Sequence, residues 1–183
     1  MIGILAIQGG FLEHEEILDK LGILHKRVRS LDDVGDLTGL IIPGGESTTM
    51  DLFMQKYGLK DWLIKRVRDE TSVIGGQFKV FGTCAGLILL ARYGLLNATV
   101  ARNAYGRQLA SFTAEISVEK FVNEFSVKGH FIRAPKIISV GAKVEVLAVY
   151  EGLPVLIREG NVFGATFHPE LAGDSGLHEA IFS

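Results

Sequence analysis

The chain has 183 residues, 48% of them hydrophobic, and its 19 basic and 21 acidic residues give a net charge of −2 with no block of like charge. That length buries one sizeable core and corresponds to a single domain, residues 1–183, and the charge balance excludes the basic footprint of a nucleic-acid or membrane-surface partner. One cysteine, Cys84, excludes an intramolecular disulfide and fits a reducing compartment; no stretch reaches the roughly 18 to 20 apolar residues of a membrane helix, so a cytoplasmic protein is expected.

The opening run "MIGILAIQGGF" lacks a basic flank and runs into the acidic "LEHEE", so residues 2–8 read as a first strand rather than a signal peptide. Leu12, Ile17, Leu18 and Leu21 then fall near helical spacing, with Gly22 as the C-cap. "ILHKRV" is a second strand, and "TGLIIPGG" a third that enters a glycine turn. Residues 47–57 predict a helix with Ser47 or Thr48 as N-cap and Asp51 completing a capping box from Thr48. A further helix over 60–69 and a loop over 70–77 precede the strand "FKVFG".

Alternating strands and helices favour a parallel sheet covered on both faces, because parallel neighbours need crossover connections. The ligand site of such a sheet lies beyond the carboxyl ends of its strands. The second half changes character: "TAEISV", "SVKGHFIR", "KVEVLAVY", "PVLIRE" and "NVFGATF" are closely spaced strands that predict antiparallel additions to the sheet.

Three stretches carry chemistry. In "VFGTCAGLILLA", Gly82 and Gly86 flank Cys84 between a strand and an apolar helix, the logic of a nucleophile elbow. The N-terminus of the following helix favours thiolate over thiol, and its first backbone N–H can face an oxyanion. Taken alone, a cysteine in an apolar run reads as core packing. The deciding stretch is "GATFHPEL", where His168 ends a strand and Glu170 can orient its imidazole, the third role of a triad. In "LIIPGGEST", Gly44 and Gly45 occupy a strand-to-helix loop whose N–H groups can stabilise an oxyanion. This loop is not a Walker motif, since no Gly-Lys-Ser/Thr follows, and "AIQGGF" is not a dinucleotide fingerprint.

"FGTCAG", "HPE" and "PGGEST" resemble the class I (triad) glutamine amidotransferases. "LAIQG" followed by His14, "PGGESTTM", "FGTCAGLILLA", "GLLN", "RNAYGRQ", "FIRAP" and "FHPEL" narrow the resemblance, over nearly the whole chain, to the glutaminase subunits of pyridoxal 5'-phosphate synthase. The implied fold is α/β and flavodoxin-like, a mostly parallel central sheet flanked by helices with antiparallel strands added in the second half. The implied reaction is hydrolysis of L-glutamine to L-glutamate and ammonia, without metal or organic cofactor. The ammonia passes to the synthase lyase subunit (PdxS).

By the same resemblance, Cys84 is the nucleophile, His168 the general base and acid, and Glu170 the orienting carboxylate. Gly45 and Ala85 supply the oxyanion N–H groups; glutamine is held by Gly45, Glu46 and Ser47, by Arg102, and by Ile132 and Arg133. Such residue types suit a zwitterion, whose carboxylate wants cations or backbone donors and whose ammonium wants an acceptor. Gln8 and His14 are expected near the partner interface, outside the active site.

Two departures from relatives stand out: a short connection over 91–95, and an end at Ser183 where relatives continue through a longer helix, which is expected to expose apolar surface. Two other readings stay open. A cysteine hydrolase of related α/β fold, DJ-1/PfpI-like, has no required role for the "HPE" pair; a catalytically silent binding subunit would carry a vestigial triad.

Overall fold

The computed structural model describes residues 1–69, 77–102, 111–119, 121 and 123–183. Residues 70–76 of the predicted loop and the part of "RNAYGRQ" beyond Arg102 lie outside the described residues. The first half alternates as predicted: β1 (Ile2–Leu5), α1 (Phe11–Lys20), β2 (His25–Val28), β3 (Gly39–Ile42), α2 (Ser47–Lys56), α3 (Leu59–Arg68), β4 (Lys79–Thr83) and α4 (Ala85–Arg92). The second half holds β5 (Ala98–Ala101), β6 (Phe112–Val118), β7 (Phe125–Phe131), β8 (Lys136–Val140), β9 (Glu145–Tyr150), β10 (Leu153–Glu159), β11 (Val162–Ala165) and α5 (Gly176–Phe182).

A seven-stranded sheet runs in the order β2-β1-β3-β4-β11-β10-β9. Its first five strands are mutually parallel, and β10 and β9 extend it antiparallel at one edge. The antiparallel additions expected from the second half are therefore β9 and β10. By contrast, β11 joins the parallel block, and β6–β7 forms a two-stranded sheet of its own. The strands β5 and β8, unforeseen in the sequence, pair in a third small sheet.

Strands β1 and β3 are buried throughout, which is why "IGIL" and "GLII" show no alternation. Neighbouring residues of a strand still face opposite layers. Val80 packs with Met50, Met54, Leu63 and Leu87 of α2, α3 and α4, whereas Phe81 packs with Phe163, Phe167, Leu177 and Ile181, the last two from α5. Leu18 of α1 joins Ile2, Ile4 and Ile41 in a third cluster. Each such side chain taken from water contributes roughly 1.5–3 kcal/mol.

At the end of α1 the predicted cap is present: Gly22 adopts φ 67° and its N–H donates to the Asp19 carbonyl. At the start of α2 the expected cap is replaced. Glu46, one residue earlier, accepts from Thr48 N (3.1 Å) and Thr49 N (2.7 Å), because its longer side chain reaches two first-turn N–H groups at once. Asp51 turns instead toward the end of α4, accepting from Tyr93 Oη and Arg92 Nη1, each at 2.7 Å.

Because β1 lies between β2 and β3, its flanking connections leave in opposite directions, which opens a crevice at the carboxyl ends of the parallel strands. The loops after β1, β3, β4 and β11 all end there, and they carry Gln8, Gly44 to Ser47, Cys84 and His168.

Candidate active site

Cys84 sits between the last residue of β4 and the first of α4 at φ 49° and ψ −98°, a region that non-glycine residues rarely occupy. Its N–H donates to the Ala165 carbonyl at 2.8 Å, which ties the turn to the end of β11. The flanking glycines answer a need for close approach. A Cβ on Gly86 would stand 2.1 Å from the Ile42 carbonyl oxygen, so only glycine lets α4 pack this close to β3.

His168 is fixed through its backbone as well as its ring. It forms a two-way bridge with His130 of β7: His168 N donates to His130 O at 2.8 Å, and His130 N donates to His168 O at 3.0 Å. On the side-chain side, Nδ1 lies 2.7 Å from Glu170 Oε1, and the ring and Cys84 line the same cavity. Burial by itself would lower the imidazole's proton affinity, but the influence of the Cys84 and Glu170 side chains outweighs that and raises its pKa to about 10. The ring packs against the Gly44 backbone, where an added Cβ would lie 2.1 Å from Cε1.

Glu170 opens a short 3-10 turn and is 4% exposed. Burial pushes its carboxyl up, yet the His14 and His168 imidazoles facing it hold it well below the usual carboxylate range. The Thr83 hydroxyl donates to Glu170 Oε1 at 3.2 Å and accepts from Gly44 N–H at 3.1 Å, so one threonine joins the cysteine strand, the glycine loop and the carboxylate.

A cavity of about 500 Å³ opens over Cys84, Ala85 and His168, a volume within the usual range for small-molecule sites. Gly45, Glu46, Ser47, Arg102, Ile132 and Arg133 line its remaining walls. The structure thus gathers every residue assigned from the sequence to oxyanion or substrate binding around the cysteine and histidine, with Glu170 directly behind the histidine. Glu46 accepts from Arg102 Nη2 at 3.1 Å, and the first-turn N–H groups of α2 pull its carboxyl down to about 2. Ser47 Oγ is buried without a hydrogen-bond partner among the described residues. Arg133 is exposed and held at φ 45°. Ala85 opens α4, where an N–H has no partner within the helix.

Three residues left out of the sequence-based site belong to its surroundings. Gln8 lines the cavity, and its Oε1 accepts from Glu46 N at 2.8 Å. His14, expected at a partner surface, is completely buried behind Glu170. Thr83 carries the bridge described above. The signal for His14 is its spacing, since positions 14, 17 and 18 share the buried side of α1.

Residues 4–182 match a family model described as the SNO glutamine amidotransferase family. The chain is 44% identical to the pyridoxal 5'-phosphate synthase subunit PdxT of Thermosipho africanus, covering 97% of this chain and 95% of that protein. It is 45% identical to the protein of the same name from Thermus thermophilus, over 97% of this chain and 94% of the relative. A crystal structure described as a glutamine amidotransferase superposes with TM-score 0.89 at 44% identity, covering 98% of this chain and 96% of the other. The structure of PurLQS from Thermotoga maritima shares the fold at TM-score 0.74 and 18% identity, covering 98% of this chain and 95% of that one.

Proposed function

The chain belongs to the SNO glutamine amidotransferase family and is a glutaminase subunit of pyridoxal 5'-phosphate synthase, and on that premise we propose that Cys84, His168 and Glu170 hydrolyse the side-chain amide of glutamine. It is an amide hydrolase whose substrate is glutamine and which works with a synthase partner. The observation that carries the triad reading is Glu170 Oε1, 2.7 Å from His168 Nδ1, behind a cavity that His168 and the strained Cys84 line together.

The Cys84 thiolate attacks the amide carbon, and the carbonyl electrons move onto oxygen, which the N–H groups of Gly45 and Ala85 stabilise. The tetrahedral adduct collapses as His168 delivers its proton to the departing nitrogen, releasing ammonia and leaving a glutamyl thioester. Water then attacks the thioester while His168 takes its proton, and glutamate leaves as Cys84 is regenerated. A histidine that holds its proton strongly suits the ammonia-releasing step, and Glu170 keeps that imidazolium oriented. Glu46 beside Arg102 and Arg133 gives the cavity both signs of charge, which matches the zwitterionic end of glutamine.

The whole chain serves as one glutaminase domain, and the partner that takes the ammonia is the lyase subunit PdxS. A cytoplasmic setting is supported by the free cysteine at the site. Among the described residues, no helix is long and apolar enough to cross a membrane.

The test is glutamate release from glutamine by the purified chain, alone and with the synthase lyase subunit, with Cys84→Ala as control. Release that rises with the partner and vanishes in the variant is expected. Release unaffected by Cys84→Ala removes the nucleophile assignment, and loss in Cys84→Ala with full activity in His168→Ala and Glu170→Ala points to the DJ-1/PfpI-like alternative.

A further inference from the structure

Glu170 is held by more than the histidine it orients. His14 Nε2 of α1 lies 3.4 Å from Glu170 Oε1 and 3.4 Å from Thr83 Oγ1. On the far side of that ring, His14 Nδ1 is 2.7 Å from His178 Nε2 of α5. Both histidines are 0% exposed. The Phe81 ring stands T-shaped to each of them at centroid distances of 6.4 and 5.5 Å. Two fully buried polar rings are costly unless they are hydrogen-bonded. Among the described residues they are not part of a cluster able to hold a metal ion.

Counting donors gives the line a direction. Thr83 spends its hydroxyl proton on Glu170, so His14 Nε2 faces two acceptors and must carry a proton. Among the described residues, His178 Nδ1 is buried without a partner. A lone pair is cheaper to leave unpaired there than an N–H, so the His178 proton sits on Nε2 and is donated to His14 Nδ1. The order is then His178 Nε2–H to His14 Nδ1, and His14 Nε2–H to Glu170 Oε1. Glu170 Oε2 has no hydrogen-bond partner among the described residues. The contacts from His14, Thr83 and His168 therefore fall on one oxygen, the oxygen that holds the proposed catalytic imidazole.

We propose that His14 and His178 are positioning residues for glutamine hydrolysis, a directional two-histidine chain from α5 through α1 that fixes the Glu170 carboxylate and, through it, His168 against Cys84. The proposal rests on the triad reading above. Neither ring lines the cavity, so the chain governs turnover rather than substrate binding. Among the described residues, the titratable groups facing Glu170 are His14 and His168, with His178 beyond His14 and Cys84 on the cavity side of His168.

The test uses the chain together with the synthase lyase subunit and measures kcat, KM for glutamine and the pH profile of kcat/KM in His14→Ala, His14→Gln, His178→Ala and His178→Gln. Expected for His14→Ala is a fall in kcat of about ten- to a hundredfold, the loss typical when an orienting partner is removed, with KM unchanged. The limb set by His168 deprotonation should move to lower pH, because a looser Glu170 holds the imidazolium less well. Glutamine at position 14 restores an Nε2–H toward Glu170 and recovers most of the rate, as glutamine at 178 does toward His14. A folded His14→Ala with wild-type kcat and pH profile overturns the proposal, as does a loss matched by a fall in Tm and not relieved by glutamine.

If the alanine variants do not fold, ring-nitrogen NMR of the wild-type protein decides: both histidines on the Nε2–H tautomer support the chain, and a proton on His178 Nδ1 or on both His14 nitrogens overturns it. Wild-type protein that releases no more glutamate than Cys84→Ala fails the glutaminase reading instead.

Discussion

Placing alanine at Gly44 sets a methyl group 2.1 Å from His168 Cε1, where ordinary contact begins near 3.4 Å, so ring or loop must give by about 1.3 Å. The loop has little freedom to move, since Gly44 N–H donates to Thr83 Oγ1 at 3.1 Å and the Gly44 carbonyl accepts from Gly10 N–H at 3.1 Å. The ring is no freer, pinned by its backbone bridge to His130 and by the 2.7 Å contact with Glu170. Gly44 has no left-handed φ, so alanine there adds no backbone strain and the effect is a displaced imidazole. A misplacement near 1 Å costs about a hundredfold in rate, equivalent to about 2.7 kcal/mol in the barrier. Gly44→Ala is therefore expected to lower kcat for glutamate release about a hundredfold while the unfolding transition stays cooperative. A kcat within about threefold of wild type would refute the argument that the Gly44 backbone fixes the ring.

Two further outcomes follow from the charges. With its folded pKa raised from 6.5 to about 10, His168 contributes stability that is fully present below pH 6.5 and is lost as pH rises through about 10. Tm should therefore fall more steeply across that window in wild type than in Glu170→Gln, and equal slopes would contradict the raised value. Arg102, in the wall of the cavity, donates to Glu46 and Thr48, and its side chain is 43% exposed. Arg102→Ala should raise KM for glutamine with a smaller change in kcat, and steady-state kinetics showing a pure kcat effect would remove it from substrate binding.

What the sequence made legible was local. Cys84 between Gly82 and Gly86, His168 two residues before Glu170, and the glycine loop after "LII" are each short local patterns, so the sequence displays them together and their combination carries the resemblance. The sheet was legible for the same reason, since buried strands such as β1 and β3 are short apolar runs bounded by turn residues. Contacts between distant segments were not. His14 and His178 are separated by 164 positions and meet only because α1 and α5 cover the same face of the sheet. Thr83 reads as an ordinary strand residue until its hydroxyl is seen between Gly44 and Glu170. At α2, the serine and threonine at 47 and 48 matched the usual capping preference, but the longer carboxylate at 46 reached the N–H groups first.

The strain at Cys84 and the crowding around it have one physical origin. A non-glycine residue at φ 49° costs on the order of 1–3 kcal/mol and persists only when its surroundings over-determine it. Here the turn is held on both sides: Cys84 N–H is bonded to Ala165, and Gly86 is packed against the Ile42 carbonyl with no room for a methyl group. Relaxing the cysteine would break the link to β11 and open the contact between α4 and β3. The groups assigned to the glutamine zwitterion are built differently, since the Arg102 and Glu46 side chains are 43% and 50% exposed and join through a solvent-screened pair. The atoms proposed to make bonds thus stand on buried strand ends that cannot relax cheaply, while the charges proposed to recognise glutamine stand where they can exchange one partner for another. On this arrangement, changes at Arg102 act on binding, and changes as small as one methyl group at Gly44 act on the chemical step.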